Sequence, residues 1–209
     1  MTRIHTITSL AAALCVAAAA TASSTTATYL GTNGVEGLGS YNAVVTYDYS
    51  GGSSAILTVF LSNTTSASTG GYITALALTA AGASSVSLSS STSAAFNGLN
   101  GPVEANPFGN FVGGASTSDS WLGGGSPTNG ISVGNSATFV FNLTGLASNL
   151  ASVTADTVLQ ATGNNGLVVR FRGMANGGSD KVIAYVVPAP AGLAVLGLLA
   201  APRARRRRA

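Results

Sequence analysis

Cysteine and histidine each occur once in the 209 residues, as Cys15 and His5, and charged residues make up only 7% of the chain. Nucleophilic catalysis most often relies on a histidine base, and zinc sites rely on Cys and His ligands. If the first residues are removed during export, the remaining chain has neither residue and no possible disulfide. The scarcity therefore predicts a protein without enzymatic activity and without a cofactor.

Most motifs of the common catalytic classes are also missing. The chain has no S-x-x-K or H-E-x-x-H pattern, and its one G-x-S-x-G spacing, at residues 130–134, lies in a body (residues 23–187) without a histidine. Gly34, Gly37 and Gly39 suggest a glycine-rich loop, but the spacing and the lysine of a phosphate-binding loop are absent. Glycoside hydrolysis by paired carboxylates needs two of six widely spaced acidic residues, such as Glu36 and Glu104, to converge in space.

Charge is distributed unevenly along the chain. The formal net charge is +3, yet five of the eight arginines lie among the last seven residues. Residues 23–187 contain six carboxylates against Arg170, Arg172 and Lys181, a net charge of −3. A nucleic-acid partner needs a basic surface, so we expect none.

Calcium is a separate case, because its oxygen ligands are available in this chain. Residues 118–119 and 177–180 are the candidate loops, each with one aspartate, Asp119 or Asp180. The alternative is that both aspartates accept hydrogen bonds from the backbone of their own turns.

The N-terminus has the pattern of a signal peptide. Arg3 precedes an apolar run at residues 10–20, and Ala20 and Ala22 fit an A-x-A cleavage site. The run is too short to span a bilayer comfortably. We expect residues 1–22 to be removed by the export machinery. The alternatives are a helical N-terminal arm and a lipoprotein signal at Cys15.

The body of the chain has the alternation of β-strands. Ala43, Val45, Tyr47 and Tyr49 share one face of a strand, and residues 56–63 are apolar on both faces, which predicts a central strand. Further strands are expected at 72–78, 137–144, 167–172 and 182–186. Turns rich in Gly, Asn and Ser separate them, and no amphipathic helix is evident. The pattern predicts an all-β fold, a single antiparallel β-sandwich over residues 23–186 with a jelly roll as the alternative.

The middle of the body, residues 98–130, is dense in Gly, Pro and Asn and predicts long loops between short strands. It contains Trp121, the only tryptophan. Trp121 is either a stacking platform for a sugar ring or a side chain folded over the edge of the sandwich to cover its core.

The C-terminus carries three consecutive features: Val187, Pro188, Ala189 and Pro190; then an apolar stretch at 191–201; then Arg203, Arg205, Arg206, Arg207 and Arg208. This segment, residues 187–209, resembles a PEP-CTERM sorting signal. In that family a Pro-Glu-Pro motif, a transmembrane helix and a basic cluster end the chain, and an exosortase cuts near the prolines. Ala189 stands where glutamate is usual. The resemblance implies an exosortase-like processing enzyme as a partner and a bacterium that makes extracellular polysaccharide.

The apolar stretch is short for a lasting anchor. Eleven residues of helix span about 17 Å, against a hydrocarbon core of about 30 Å. The arginines favour a cytoplasmic C-terminus, which leaves the body outside. We therefore expect a signal helix and a C-terminal apolar helix to flank the sandwich, the latter as a transient inner-membrane anchor. The alternative is a basic tail lying on anionic lipid.

Two functions are compatible with these features. The first is an exported, non-enzymatic protein of the cell surface or extracellular matrix, structural or adhesive in exopolysaccharide. The second is a carbohydrate-binding module that holds a polysaccharide through Trp121 and nearby tyrosines.

Overall fold

The computed structural model describes residues 22–32, 34–122, 125–160 and 166–188. Within them the chain forms twelve strands and one short helix, α1 (Ala147–Ala151). The strands are β1 (Ser23–Gly31), β2 (Tyr41–Tyr49), β3 (Ser54–Asn63), β4 (Gly70–Leu78), β5 (Ala83–Ser91), β6 (Asn97–Glu104), β7 (Asn110–Ser116), β8 (Ile131–Ser132), β9 (Ser136–Gly145), β10 (Leu167–Met174), β11 (Ser179–Ile183) and β12 (Tyr185–Val187).

The strands form two antiparallel sheets of six strands each. Sheet A has the order β12-β1-β2-β3-β9-β5, and sheet B has the order β11-β10-β4-β7-β6, with β8 paired to β4. The inner faces of both sheets contribute to one apolar core. The predicted all-β, sandwich-like fold is confirmed. Sheet A contains the meander β1-β2-β3, which differs from the double Greek key of the jelly-roll alternative.

Alternation identified several strands correctly. Ala43, Val45, Tyr47 and Tyr49 of β2 all point into the core, as predicted. In β9 the aromatic pair Phe139 and Phe141 does the same. These runs were recognisable because one face of each strand is buried, and side chains alternate between faces along a strand.

The strand buried on both faces is not the one that the sequence indicates. β3 is central in sheet A, as predicted, but Ile56 and Phe60 on its outer face are each 44% exposed. Instead residues 74–78 of β4 are buried without interruption, because other parts of the chain cover the outer face of sheet B. Apolar residues on both faces were thus a misleading guide to burial on both faces.

Two further expectations were wrong in detail. Residues 98–130 were predicted as long loops between short strands, yet much of this stretch belongs to β6 and β7, which have eight and seven residues and form a hairpin. The last strand, predicted at 182–186, is split at Ala184: β11 ends in sheet B, and β12 pairs with β1 in sheet A. The expected signal helix and C-terminal apolar helix lie outside the described residues.

Buried tyrosines connect sheet A to the segment around α1. The Tyr29 hydroxyl donates to the carbonyl oxygen of Ala155 at 2.8 Å, and the Tyr47 hydroxyl donates to that of Leu150 at 2.8 Å. Burial is the main cause that raises the pKa of Tyr29 and of Tyr47 to about 12, and burial also raises the pKa of Tyr41 well above its usual value. The fold therefore favours the neutral phenols.

The tyrosine pKa values predict how stability depends on alkaline pH. Because the folded-state pKa is higher than the unfolded value of 10.0, each buried phenol stabilises the fold fully below pH 10. This contribution to the free energy of unfolding is lost as the pH rises toward the folded-state pKa of about 12. We expect absorbance at 295 nm and circular dichroism to show tyrosine ionisation and unfolding together in this window. Tyr47→Phe should shift the transition to higher pH, although the lost hydrogen bond costs about 1 kcal/mol at neutral pH.

Tyr185→Phe is the matched control, because Tyr185 lies on the surface. Its unfolding midpoint should equal that of the unmodified protein. Ionisation of all the tyrosines near pH 10 with the fold intact would contradict the assignment of buried phenols.

Candidate functional site

The segment that carries Trp121 lies on the outer face of sheet B. Trp121 is 3% exposed and packs in a second apolar cluster with Ala75 and Ala77 of β4 and Val168 of β10. Phe111 belongs to the same cluster. A buried indole has no free face for stacking, which argues against the sugar platform. Trp121 covers the outer face of sheet B and lies outside the main core. The sequence alone did not distinguish these two interpretations.

A cleft of about 380 Å³ opens beside Trp121. Its apolar lining includes Leu99, Val103 and Trp121, all of which are buried. Its polar lining includes Asn100, Glu104, Asn106 and Asp119. The Glu104 carboxylate accepts a hydrogen bond of 2.8 Å from the Asn106 side-chain amide. The volume and the mixture of an apolar lining with a few polar groups fit a small-molecule site.

The three cations of the described residues lie together beside this cleft. Arg170 pairs with Lys181 across β10 and β11, and Arg172 is two residues along β10 on the same face. Arg170 Nη1 donates to the Trp121 carbonyl oxygen at 2.9 Å, and the Lys181 ammonium donates to the carbonyl oxygen of Asn106. Arg170 and Lys181 thus hold the covering loops through their backbone carbonyls.

Arg170 is partly buried, and two effects lower the pKa of its guanidinium. Burial is the larger effect, and repulsion from Arg172 is the smaller one. The Nε of Arg170 and the indole Nε1 of Trp121 have no hydrogen-bond partner among the described residues. The outer face of sheet B therefore contains two buried donors within a mostly apolar cover.

Asp180 is the most enclosed carboxylate of the described chain, at 1% exposure. It accepts four backbone N–H groups: those of Glu36 at 2.9 Å, Leu38 at 2.8 Å, Gly39 at 2.8 Å and Lys181 at 2.8 Å. N–H donors occupy the oxygens that a calcium ion would need. The geometry argues against calcium at residues 177–180. Asp180 binds backbone N–H groups, as the alternative expected, but three of the four belong to the connection between β1 and β2 and only that of Lys181 to its own turn.

The glycine-rich stretch now has a structural explanation. A Cβ on Gly34 would lie 2.1 Å from a carboxylate oxygen of Asp180, and one on Gly39 would lie 2.6 Å from the Phe171 ring. These glycines let the backbone wrap closely around the carboxylate. Asp119, the other calcium candidate, is exposed, and the described residues contain no group of three His, Cys, Asp or Glu side chains.

The predicted processing residues are described only in part. Val187 lies in β12, opposite Thr28 of β1, and Pro188 follows it. Ala22 is exposed and directly precedes β1. Ala20, Ala189, Pro190, Arg203, Arg205, Arg206, Arg207 and Arg208 lie outside the described residues. Among the residues that the structure describes, no helix has the length and hydropathy needed to span a bilayer.

Comparisons with known proteins found no relative: no protein-family model, no curated protein and no solved structure matches the chain.

The Asp180 geometry predicts a large loss of stability for Asp180→Asn. The amide nitrogen would face N–H groups instead of accepting from them, which leaves buried donors unsatisfied. We expect the free energy of unfolding to fall by about 3 kcal/mol, measured by urea denaturation. Asp119→Asn removes an exposed carboxylate and should change stability by less than about 0.5 kcal/mol. Equal effects of the two substitutions would contradict the role of Asp180.

Proposed function

We infer that the chain is an exported, non-enzymatic protein of the cell surface or extracellular matrix, and that residues 23–187 form its mature, folded part. One observation carries the proposal: β1 begins at Ser23 and β12 ends at Val187. The two ends of the fold coincide with the signal-peptide cleavage site and the proline motif that the sequence predicts. Removal of both flanking segments would leave every described strand intact.

The chain around both processing points is accessible to an enzyme. Ala22 is exposed, and Val187 at the other end is 37% exposed. Pro188 has no N–H group, so β12 does not continue along β1 beyond Val187. The last paired strand therefore ends at the first residue of the proline motif.

The state of the carboxylates supports a non-enzymatic role. Asp180 is fully engaged by backbone amides, and Glu104 is bonded to Asn106. Glu104 and Asp119 line the same cleft. Residues 23–187 contain no histidine or cysteine to act as nucleophile or neutral base.

The route of the proposed protein has three stages. The export machinery removes residues 1–22, the apolar segment at 191–201 holds the chain transiently at the inner membrane, and an exosortase-like enzyme cuts near Pro188 and Pro190. The arginines at 203 and 205–208 keep the C-terminus in the cytoplasm until that cut. The body, with a net charge of −3, then acts at the surface or in an exopolysaccharide matrix.

Mass spectrometry of the exported protein tests this route. We expect an N-terminus at Ser23 and a C-terminus between Val187 and Pro190. Ala22→Leu should block the first cleavage because a bulky residue replaces a small one at the A-x-A site, while Thr21→Leu changes the position between the two alanines and should be tolerated. Recovery of the exported protein with Arg208 still attached would overturn the sorting proposal.

A carbohydrate-binding module is the second candidate, and the cleft beside Trp121 favours it. The cleft combines an apolar lining with amides and carboxylates, the groups that recognise sugar hydroxyls. In this version Trp121 forms part of the cleft wall and does not stack on the sugar.

Binding of neutral oligosaccharides tests the module. Asp119→Ala and Glu104→Ala should each weaken binding about tenfold in calorimetry, which corresponds to the loss of one charge-assisted hydrogen bond. Asp156→Ala removes an exposed carboxylate outside the cleft and should leave the affinity unchanged. The absence of binding by the unmodified protein to every member of a glycan array would contradict the module and leave the sorting proposal standing.

A further inference from the structure

The outer face of sheet B is covered by loops of the described chain, whereas the outer face of sheet A is not. Loops that carry Phe108 and Trp121 cover sheet B and create the second apolar cluster there. No described segment packs in this way on the outer face of sheet A, although that face carries large apolar side chains. We call this surface the sheet A face, formed by the outward side chains of β12, β1, β2, β3 and β9.

Strand register aligns three of the exposed apolar residues, Val187, Val44 and Phe60, in one row. Val187 lies opposite Thr28, Thr28 opposite Val44, and Val44 opposite Phe60, with Thr138 next on β9. In antiparallel sheets, directly opposed residues point to the same side. Of the eight large apolar residues exposed in the described chain, five lie on the sheet A face. These five are Val44, Ile56, Phe60, Tyr185 and Val187.

A row of threonines runs beside the apolar row. Thr26 lies opposite Thr46, with their hydroxyl oxygens 3.2 Å apart, and Thr46 lies opposite Thr58. Asp48 is the only acidic or basic side chain of the face among the described residues, and it lies near one end of β2, opposite Ile56. The face is therefore nearly uncharged, with a row rich in apolar residues beside a row of threonines.

We propose that the sheet A face binds the same face of a second copy of this chain and forms a two-fold symmetric dimer. In a two-fold symmetric dimer the same surface of each copy forms the interface, so the apolar row of one copy can pack on that of the other. Because the face is nearly uncharged, the contact brings no charge repulsion. A partner of opposite charge gains nothing from a surface with one peripheral carboxylate.

The size of the face is sufficient for a stable dimer. Four strands about 4.8 Å apart, each with four rows of outward residues about 6.7 Å apart, and two rows on β12 give a footprint of roughly 580 Å² per copy. Two copies would bury roughly 1,160 Å², above the about 1,000 Å² that a specific interface needs. Sheets pack face to face in this way inside sandwiches, at about 10 Å separation.

Sedimentation velocity of the full chain in a density-matched non-ionic detergent tests the dimer. The double variant Val44→Lys, Phe60→Lys puts four ammonium groups into the dimer interface and should raise the dissociation constant roughly 100-fold. The matched control, Val35→Lys with Leu146→Lys, changes two exposed apolar residues outside the face and should leave the dimer intact. Circular dichroism checks that each variant is folded.

Cysteine cross-linking provides a second measurement that does not depend on lysine variants. In a Cys15→Ala background, Thr58→Cys lies near the centre of the face and should form a disulfide between copies on oxidation. Ser148→Cys, exposed on α1, should not. An unmodified chain that stays monomeric, or cross-links equally through both positions, overturns the proposal. Retention of that monomer on neutral polysaccharide or on neutral lipid vesicles, lost with Phe60→Lys, would assign the face to that partner instead.

Discussion

The buried Asp180 carboxylate is the interaction on which the arrangement of the two sheets depends. Asp180 belongs to β11 in sheet B, and three of its four donors belong to the connection between β1 and β2 in sheet A. The backbone N–H of Val35 also donates to the carbonyl oxygen of Lys181 at 3.0 Å. One side chain thus satisfies a loop that would otherwise carry orphan donors, and it joins the sheets at their edge. Bulkier residues at Gly34 or Gly39 would destroy the fit.

A sandwich has two outer faces, and in the described part of this chain one of them is covered and the other is exposed. Sheet B receives a cover of loops whose carbonyls are held by Arg170 and Lys181, which uses two of the three cations in the body for structure. Sheet A keeps its outer face uncharged and uncovered, with Phe60 and Val44 opposed on neighbouring strands. Low charge is therefore a property of this surface, and the few charges of the body are mostly committed elsewhere.

Strands rich in apolar side chains, including β4 and β10, were recognisable in the sequence, whereas β1 and β5 were not. β2 and β9 alternate strongly and were predicted, whereas β5 has nine residues of which only Val86 is fully buried, so no alternation marks it. Backbone hydrogen bonds to Asp180 were among the open alternatives, but three of its four donors are remote in sequence, and only the folded structure brings them together. The burial of Trp121 likewise depends on Ala75, Ala77 and Val168, which no local pattern links to it.

The split at Ala184 has a mechanical consequence. A force applied at the C-terminus reaches β12 first, and β12 is held to β1 by three residue pairs, so it peels away one pair at a time. The force then reaches β11, which is fixed by its five pairs to β10 and by the Asp180 contacts. β12 therefore detaches at a lower force than β11. A pulling force on the tail first separates β12 from β1 and only then acts on the strands of the core.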